Sequence, residues 1–291
     1  MENARPQLAY RGRLAPSPTG FLHLGHARTF WVASERARRA GGALILRMED
    51  LDPQRSRQEY ADSFAEDLHW LGIEWQEGPE CGGPCAPYCQ SQRRELYLQA
   101  WQKLLDMDAI YPCRCSRREL RESSSAPHED DDEPLYPGTC RQHRLPAKPT
   151  APAGWNWRFR VPDGEAVEFH DAQQGRQCYV AGRDFGDFVL WRRDDVPSYQ
   201  LAVVVDDAAM GITEVVRGAD LLRSTARQIL LQRALGLPTP AYFHCDLLTD
   251  AQGVRLAKRN AALSLRELRR AGLSMEPYWR EWRNGFFPVT P

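Results

Sequence analysis

The amino-terminal part of the chain alternates between short apolar runs and one longer stretch with helical spacing. Residues 9–15 predict a short strand, and a turn rich in proline and glycine follows over residues 16–20. Within residues 24–40, apolar side chains recur every three or four positions and arginines gather at the end, which predicts an amphipathic helix. The apolar residues 43–48 predict a second, buried strand. A strand, a helix and a strand in this order predict a βαβ unit with parallel strands.

Later segments continue this alternation of helices and strands. Ser56 and Glu59 have the spacing of a capping box, which predicts a helix running to Gly72, and residues 92–106 predict a third helix. Further on, the chain predicts strands over residues 156–161, 187–192 and 199–205, a helix over residues 219–235, and a last helix capped by Ser264 and Glu267. The fold class predicted is therefore α/β, with a Rossmann-like parallel sheet.

The segment between residues 126 and 154 differs in composition, because it holds six of the 21 prolines and an acidic run. We interpret it as part of a loop-rich insertion. The expected division is a discontinuous catalytic domain over residues 1–106 and 190–259, an inserted subdomain over residues 107–189, and a short helical carboxyl-terminal segment over residues 260–291.

Composition and charge narrow the class of protein. The chain has 291 residues, 42% of them hydrophobic and 26% charged, and its net charge is −1, so any surface for a polyanion is a local patch. There is no apolar run of membrane-spanning length and no secretory signal pattern, so we expect a cytoplasmic protein without a membrane partner. We expect no obligate protein partner either. In a reducing compartment the eight cysteines are thiols or metal ligands rather than disulfides.

Two histidines stand where the first strand's turn meets the first helix. His23 and His26 share one face of that helix's amino end, where free N–H groups and the helix dipole favour a phosphate, and Gly25 lets a ligand approach the backbone. Taken alone, such a pair is more often a set of surface or packed histidines. Lys258 is one of only three lysines among 38 basic residues and lies in a basic loop, where an ammonium group can neutralise phosphate charge.

Two groups of cysteines suggest metal sites. Cys113, Cys115 and Cys140 supply three thiols, and the phenol of Tyr136 is an uncommon fourth ligand, so spacing alone leaves a site with a histidine ligand equally open. His128 and His143 are the histidines that could replace Tyr136. The second group, Cys81, Cys85 and Cys89, raises the alternative of an iron–sulfur cluster.

Five motifs in their order resemble the signatures of class I aminoacyl-tRNA synthetases, and within them the glutamyl branch. The motifs cover most of the chain and are Arg13 to Gly20 (RLAPSPTG), His23 to His26 (HLGH), Arg47 to Asp52 (RMEDLD), Gln90 to Arg93 (QSQR) and Val216 to Leu222 (VRGADLL). An ordered set of this kind is far more specific than any one short motif. The sequence around Cys81, Cys85 and Cys89 resembles an ordinary loop of this family, so we interpret these three as free thiols.

The resemblance implies a reaction and a set of site residues. It implies that L-glutamate is bound by Arg13, Ala15, Ser17, Glu49, Tyr199 and Arg217, and ATP with Mg²⁺ by Pro16, His23, Gly25, His26 and Lys258. His23, His26 and Lys258 would be the catalytic residues. The residue chemistry agrees, because guanidinium groups bind carboxylates by paired hydrogen bonds and a carboxylate such as Glu49 suits an ammonium group.

The chain most resembles the short members of the branch, the glutamyl-Q tRNA(Asp) synthetases. These carry a structural Zn²⁺ on a set like Cys113, Cys115, Tyr136 and Cys140, and they attach glutamate to queuosine at the wobble position of tRNA(Asp). Since few residues follow Lys258, we expect no anticodon-reading domain. The basic loop departs from the family's pattern at Arg255 and Ala257, which leaves a weak RNA-binding paralogue, or a truncated synthetase for tRNA(Glu), as alternatives.

Overall fold

The computed structural model describes residues 9–115, 135–248 and 264–286. In chain order the elements are β1 (Arg11–Leu14), α1 (Leu24–Arg39), β2 (Ala43–Leu46), α2 (Gln58–Trp70), α3 (Arg94–Asp106), β3 (Ile110–Cys113), β4 (Asn156–Phe159), β5 (Ala166–Asp171), β6 (Gly175–Val180), β7 (Val189–Trp191), α4 (Tyr199–Ala209), β8 (Glu214–Gly218), α5 (Leu222–Leu235), β9 (Ala241–Cys245), α6 (Leu265–Arg270) and α7 (Glu276–Phe286). None of these helices is long and apolar enough to cross a membrane.

The described residues form two compact units. The first lies within Met1–Gln92, Gly211–Asp220 and Pro240–Pro291, and the second within Arg93–Met210 and Leu221–Thr239. The bounds of these two units are defined by how compactly their residues pack, whereas the domain bounds expected from the sequence are based on the resemblance to a family. That division, with its inserted subdomain over residues 107–189, stays a prediction.

The first unit contains the predicted βαβ arrangement. β1 pairs in parallel with β2, and β8 pairs in parallel with β9. The two pairs are linked because the backbone N–H of Arg11 donates to the hydroxyl of Thr213 and the N–H of Thr213 donates to the carbonyl of Arg11, both at 2.9 Å. The α/β fold class with parallel strands is thus confirmed.

Helix α1 is held on this sheet by packing and by one charged contact. Its buried face includes Ala27, Phe30 and Trp31, the side chains that the helical spacing selects. Near its end, Arg36 donates two hydrogen bonds of 2.7 Å to the carboxylate of Glu214 in β8. A bidentate contact of this kind sets the helix against the strand in one orientation.

The carboxyl-terminal helices belong to the first unit as well. The predicted capping box of Ser264 and Glu267 is present at the start of α6, where each side chain accepts from the other residue's backbone N–H. Trp282 of α7 is buried, and its ring centroid lies 5.8 Å from that of Trp31 in α1. The apolar side chains of this segment therefore complete the core around α1.

The second unit combines three helices with antiparallel strands. β3, β4 and β7 form an antiparallel sheet in the order β3-β4-β7, and β5 pairs with β6 as a hairpin. α3 is joined to α4 through the buried carboxylate of Asp206, which accepts from Arg93 Nε at 2.6 Å and from the hydroxyl of Tyr97 at 2.9 Å.

The prediction of a strand over residues 199–205 is wrong, because these residues lie in helix α4. Ser198 is the N-cap, and its hydroxyl accepts from the backbone N–H of Leu201. Every side chain from Leu201 to Asp207 is buried. A helix buried on all sides has no polar face, so its apolar run carries the same pattern as a buried strand.

The predicted capping role of Ser56 is also wrong. Helix α2 begins at Gln58 after Arg57, and no side chain caps it. The backbone N–H of Ser56 donates to the carbonyl of Asp52, and that of Arg57 donates to the carbonyl of Pro18. Ser56 therefore lies in the turn before the helix, and the helix begins later than the spacing indicates.

Candidate active site and metal centre

Polar side chains gather where the parallel strands of the first unit end. Arg13 lies near the end of β1, Arg47 directly after β2, Arg217 near the end of β8, and His244 near the end of β9. All four are buried, with exposed fractions of 4%, 0%, 4% and 0%. The carboxyl ends of parallel strands are where α/β folds bind ligands, so this edge is the candidate site.

Glu49 is anchored both by its backbone and by its side chain. Arg47 Nη2 donates to Glu49 Oε1 at 3.0 Å, and the side chains are 0% and 7% exposed. The N–H of Glu49 donates to the carbonyl of Pro16 at 2.9 Å, which joins the loop after β1 to the segment after β2. Arg47 is not among the site residues predicted from the sequence, although an arginine two residues before a carboxylate at a strand end is a signal for such a pair.

The two predicted carboxylate-binding arginines lie on neighbouring parts of the same edge. Arg13 Nη1 donates to the carbonyl of Val216 at 2.9 Å, and Val216 directly precedes Arg217. Arg217 Nε donates to His244 Nε2 at 3.1 Å, so the proton of that imidazole lies on Nδ1. Sequence reasoning missed His244, because a lone histidine in a buried strand is only a weak signal of a functional residue.

The other residues expected around glutamate lie in different places. Ala15 is half-buried and Ser17 is exposed, and both follow β1 in the segment that leads to α1. Tyr199 begins helix α4 in the second unit, where 36% of the residue is exposed. The first unit therefore contains every predicted glutamate-binding residue except Tyr199.

His23 and His26 form a stacked pair at the amino end of α1. Their ring centroids lie 3.8 Å apart with an interplanar angle of 30°. His23 is the N-cap, and its Nδ1 accepts from the N–H of Gly25 at 3.1 Å, while His26 Nδ1 accepts from the N–H of His23 at 3.4 Å. The first turn of the helix carries no acidic side chain. No carboxylate of the first turn would therefore repel an anion at this terminus.

These hydrogen bonds set the protonation of both rings. Because each Nδ1 accepts, the proton of each neutral ring lies on Nε2, which is left to donate to a ligand. Burial lowers the pKa of His23. Loss of hydration among the surrounding protein atoms lowers the pKa of His26, and repulsion from His23 lowers it further. His26 nevertheless remains partly exposed to solvent. Both imidazoles are therefore neutral donors near pH 7.

Gly25 has a steric reason to be glycine. A Cβ atom at this position would lie 2.9 Å from Cε1 and 3.1 Å from Nδ1 of His23. Any larger residue would push the His23 ring out of the stacked arrangement.

Lys258 and its basic loop lie outside the described residues. Ser264, the first described residue after that segment, forms a bridge with His23, and the N–H of Leu265 donates to the carbonyl of Leu22 at 2.7 Å. The chain after the basic loop thus returns directly beside the histidine pair.

The second unit contains a compact group of three thiols and a phenol. The sulfur atoms of Cys113, Cys115 and Cys140 all lie within 4.8 Å of one another, and those of Cys115 and Cys140 are 3.6 Å apart. The hydroxyl of Tyr136 lies 3.4 Å from the sulfur of Cys113 and 3.7 Å from that of Cys115. This group could hold a metal ion, and His143 is not part of it.

The surroundings of this group distinguish its thiols. Burial raises the pKa of Cys115 to about 11 and raises that of Tyr136 well above its ordinary value. Burial acts in the same direction on Cys140, but hydrogen bonds from the backbone N–H of Arg114 and from Tyr136 outweigh it and lower its pKa. Cys140 is therefore more readily ionised than Cys115.

The described cysteines form no disulfide. In the described part of the chain, the only cluster of potential metal-binding side chains is that of Cys113, Cys115 and Cys140. Cys81 is exposed, and Cys85 and Cys89 are half-buried. Their interpretation as free thiols stays a prediction.

Comparisons with known proteins identify the family to which the chain belongs. The family model for the catalytic domain of class I tRNA synthetases (E and Q) matches residues 9–286. A glutamyl-Q tRNA(Asp) synthetase from Nitratidesulfovibrio vulgaris is 51% identical over 269 residues, covering 90% of this chain and 82% of that protein. One from Symbiobacterium thermophilum is 52% identical over 269 residues, covering 91% and 83%.

Longer proteins are also similar to this chain. A glutamate–tRNA ligase 2 from Nitrosococcus oceani is 45% identical over 267 residues, which cover 91% of this chain and 56% of that protein. Among solved structures, a glutamate tRNA ligase from Elizabethkingia meningosepticum in complex with its amino acid matches with a TM-score of 0.73 and 32% identity. The match covers 91% of this chain and 53% of that one.

Proposed function

The chain belongs to the class I tRNA synthetases of the glutamate and glutamine type and is an ATP-dependent ligase, and on this premise we propose that it joins L-glutamate to the queuosine of tRNA(Asp). The observation that carries the amino-acid part is the buried set of Arg13, Arg47 and Arg217 around the ends of the parallel strands, with Glu49 beside it. The acceptor part is supported by the names of the two relatives at 51% and 52% identity. A cytoplasmic location is part of the same proposal, because ATP and tRNA are the substrates.

Glutamate recognition follows from the charges at this edge. The guanidinium groups of Arg13 and Arg217 would each bind a carboxylate of the substrate by paired hydrogen bonds. Glu49, held by Arg47, would accept from the α-ammonium group with its second oxygen. Ala15 and Ser17 would line the pocket, whereas Tyr199, which the resemblance implies as a further ligand, lies in the second unit.

ATP binding uses the amino end of α1. The Nε2–H groups of His23 and His26 would donate to phosphate oxygens, and Gly25 and Pro16 would allow the nucleotide to approach the backbone. Lys258 would neutralise charge on the phosphates, and Mg²⁺ would enter with ATP. The neutral state of both imidazoles suits this role, because a neutral ring with its proton on Nε2 can still donate to a phosphate oxygen.

The reaction would proceed in two steps. The glutamate carboxylate attacks the α-phosphorus of ATP in line with the leaving pyrophosphate, which gives glutamyl-adenylate. A hydroxyl of the queuosine cyclopentene ring then attacks the acyl carbon and releases AMP and a proton. Charge develops on the phosphate oxygens in the first step, where His23, His26 and Lys258 would stabilise it.

The cysteine group would hold one structural Zn²⁺. A tetrahedral site with Zn–S of about 2.3 Å and Zn–O of about 2.0 Å separates two sulfurs by about 3.8 Å and a sulfur from an oxygen by about 3.5 Å. The corresponding distances here are 3.6 Å for Cys115 and Cys140, and 3.4 and 3.7 Å from Tyr136 to Cys113 and Cys115. The donor set therefore fits the ion, which would tie the segment after β3 to the loop that carries Cys140.

Pyrophosphate exchange and glutamate transfer test this proposal. We expect glutamate-dependent exchange of pyrophosphate into ATP without RNA, and transfer of labelled glutamate to tRNA(Asp) that contains queuosine but not to unmodified tRNA(Asp). Transfer to the terminal ribose of tRNA(Glu) would instead favour a glutamate–tRNA ligase, the activity named in the relative from Nitrosococcus oceani. Absence of exchange would contradict the ligase mechanism and favour an RNA-binding scaffold.

A further inference from the structure

An arginine, a tryptophan and a histidine form a stacked surface on the second unit, outside the site described above. The guanidinium carbon of Arg114 lies 4.7 Å from the centroid of the Trp155 ring. The ring of His143 meets the same indole from another side, at 5.3 Å between centroids and an interplanar angle of 60°. We refer to Arg114, His143 and Trp155 as the stacking surface.

The backbone around the cysteine group holds all three residues in place. Arg114 lies between Cys113 and Cys115, and its N–H bonds to the Cys140 thiol. The N–H of His143 donates to the carbonyl of Cys140 at 2.8 Å. On the third side, Asn156, next to Trp155, pairs with Cys113 in the β3–β4 ladder. The stacking surface is therefore preorganised, which lowers the entropic cost of binding.

The same surface is accessible and positively charged. Arg114 is exposed, and Trp155 and His143 are half-buried. Arg193 is also exposed, and its backbone flanks Trp155, since its carbonyl accepts from Gly154 and its N–H donates to the Asn156 side chain. Among residues 9–115, 135–248 and 264–286, no carboxylate pairs with the side chain of Arg114 or Arg193.

We propose that the stacking surface binds an unpaired nucleobase of the tRNA, with Arg193 facing the phosphate beside that base. Unpaired bases of RNA stack on aromatic rings and on the planes of arginine guanidinium groups, and an exposed arginine over an indole offers both. Arg158, another stacked arginine of this unit, differs because it lies buried over Tyr136 and donates to the carbonyl of Asp187. This inference rests on the proposed function, which supplies the tRNA.

Binding of fluorescently labelled, queuosine-containing tRNA(Asp) tests the inference, using two substitutions that keep apolar bulk. Trp155→Phe keeps an aromatic face, and we expect its Kd to stay within about threefold of the original protein. Trp155→Leu removes that face, and we expect a rise in Kd of about five- to a hundredfold. Arg114→Lys keeps the charge without the plane, so we expect a rise there too.

Two controls separate stacking from general effects. Trp75→Leu removes a half-buried indole of the first unit, one that stacks on His69 at 4.6 Å, and Arg176→Ala removes an exposed arginine of the second unit. Both should bind the tRNA like the original protein. Pyrophosphate exchange without RNA should be unchanged in all Trp155 and Arg114 variants, which also shows that they fold.

The outcomes separate the two proposals. The stacking proposal is wrong if Trp155→Leu binds the tRNA as tightly as Trp155→Phe does, or if Arg114→Lys binds it as tightly as the original protein does. The proposed function would still hold in that case if the chain glutamylates the tRNA. If the original protein neither binds nor glutamylates tRNA(Asp), the proposed function fails and this inference fails with it.

Discussion

Glu49 accepts a hydrogen bond from Arg47 at 3.0 Å, and the guanidinium group that donates it is wholly buried. Two opposite charges at such a buried site compensate each other. The pair also explains how Glu49 can be held in one position before any substrate is bound. Arg47 is therefore a positioning residue for the proposed ammonium ligand.

Glu49→Gln should weaken glutamate binding while ATP binding is retained. The neutral amide loses the charge-assisted contact to the ammonium group, which is worth about 1.5–3 kcal/mol, so we expect the KM for glutamate to rise by about 10- to 100-fold. Pyrophosphate exchange at varied glutamate measures this change. Glu74→Gln, at an exposed position of the same unit, is the control, and an unchanged KM in Glu49→Gln would contradict the assigned role.

Gly25→Ala should impair use of ATP without unfolding the protein. The added Cβ would meet the His23 ring at 2.9 Å and turn its Nε2–H away from the phosphates. We expect kcat/KM for ATP to fall by about 10- to 100-fold, the range for a misplaced donor. Gly285→Ala, where a Cβ meets nothing within 4 Å, is the matched control. Equal activity of both variants would show that the ring position is unimportant.

Stability should fall as the pH drops below about 6.5, where unfolded histidines take up protons. The pKa values of His23 and His26 are lowered in the folded chain, so the unfolded state binds more protons in this range and is favoured there. Replacing both with asparagine, whose side chain can still cap the helix, should make Tm less dependent on pH. Thermal melts between about pH 7.5 and about pH 5.5 measure this, and an unchanged slope would contradict it.

Purified protein should contain about one zinc ion per chain, and Tyr136→Phe should lower that content. The phenylalanine keeps the ring but removes the oxygen that lies 3.4 Å from the Cys113 sulfur. His143→Ala should leave the metal content unchanged, because that histidine is not part of the thiol group. Elemental analysis of both variants decides between Tyr136 and His143, whereas His128, the third candidate, lies outside the described residues. Loss of zinc in His143→Ala alone would reverse the assignment.

The parts of the structure that the sequence predicted are those whose signals are local. Helix α1 shows its period, its arginines at the end and its N-cap histidines within a single segment, and the capping box of Ser264 needs only the four residues that form it. The run after Ser198 carries no polar face, so its local pattern could not distinguish a buried helix from a buried strand. Ser56 and Glu59 have the spacing of a capping box, yet helix α2 begins only at Gln58, after Arg57, whose backbone N–H donates to the carbonyl of Pro18.

By itself, the sequence determined which side chains are candidates for the chemistry: the histidine pair, the arginines of the motifs and the three thiols. Only the tertiary structure decided which of them meet. A side-chain hydrogen bond joins Arg13 to Val216, and strand pairing brings His244 to Arg217, although these partners lie far apart along the chain. The fold likewise places the Tyr136 hydroxyl, and not His143, among the sulfur atoms. Spacing limits only neighbours along the chain, whereas contacts between distant segments depend on how the strands and loops pack.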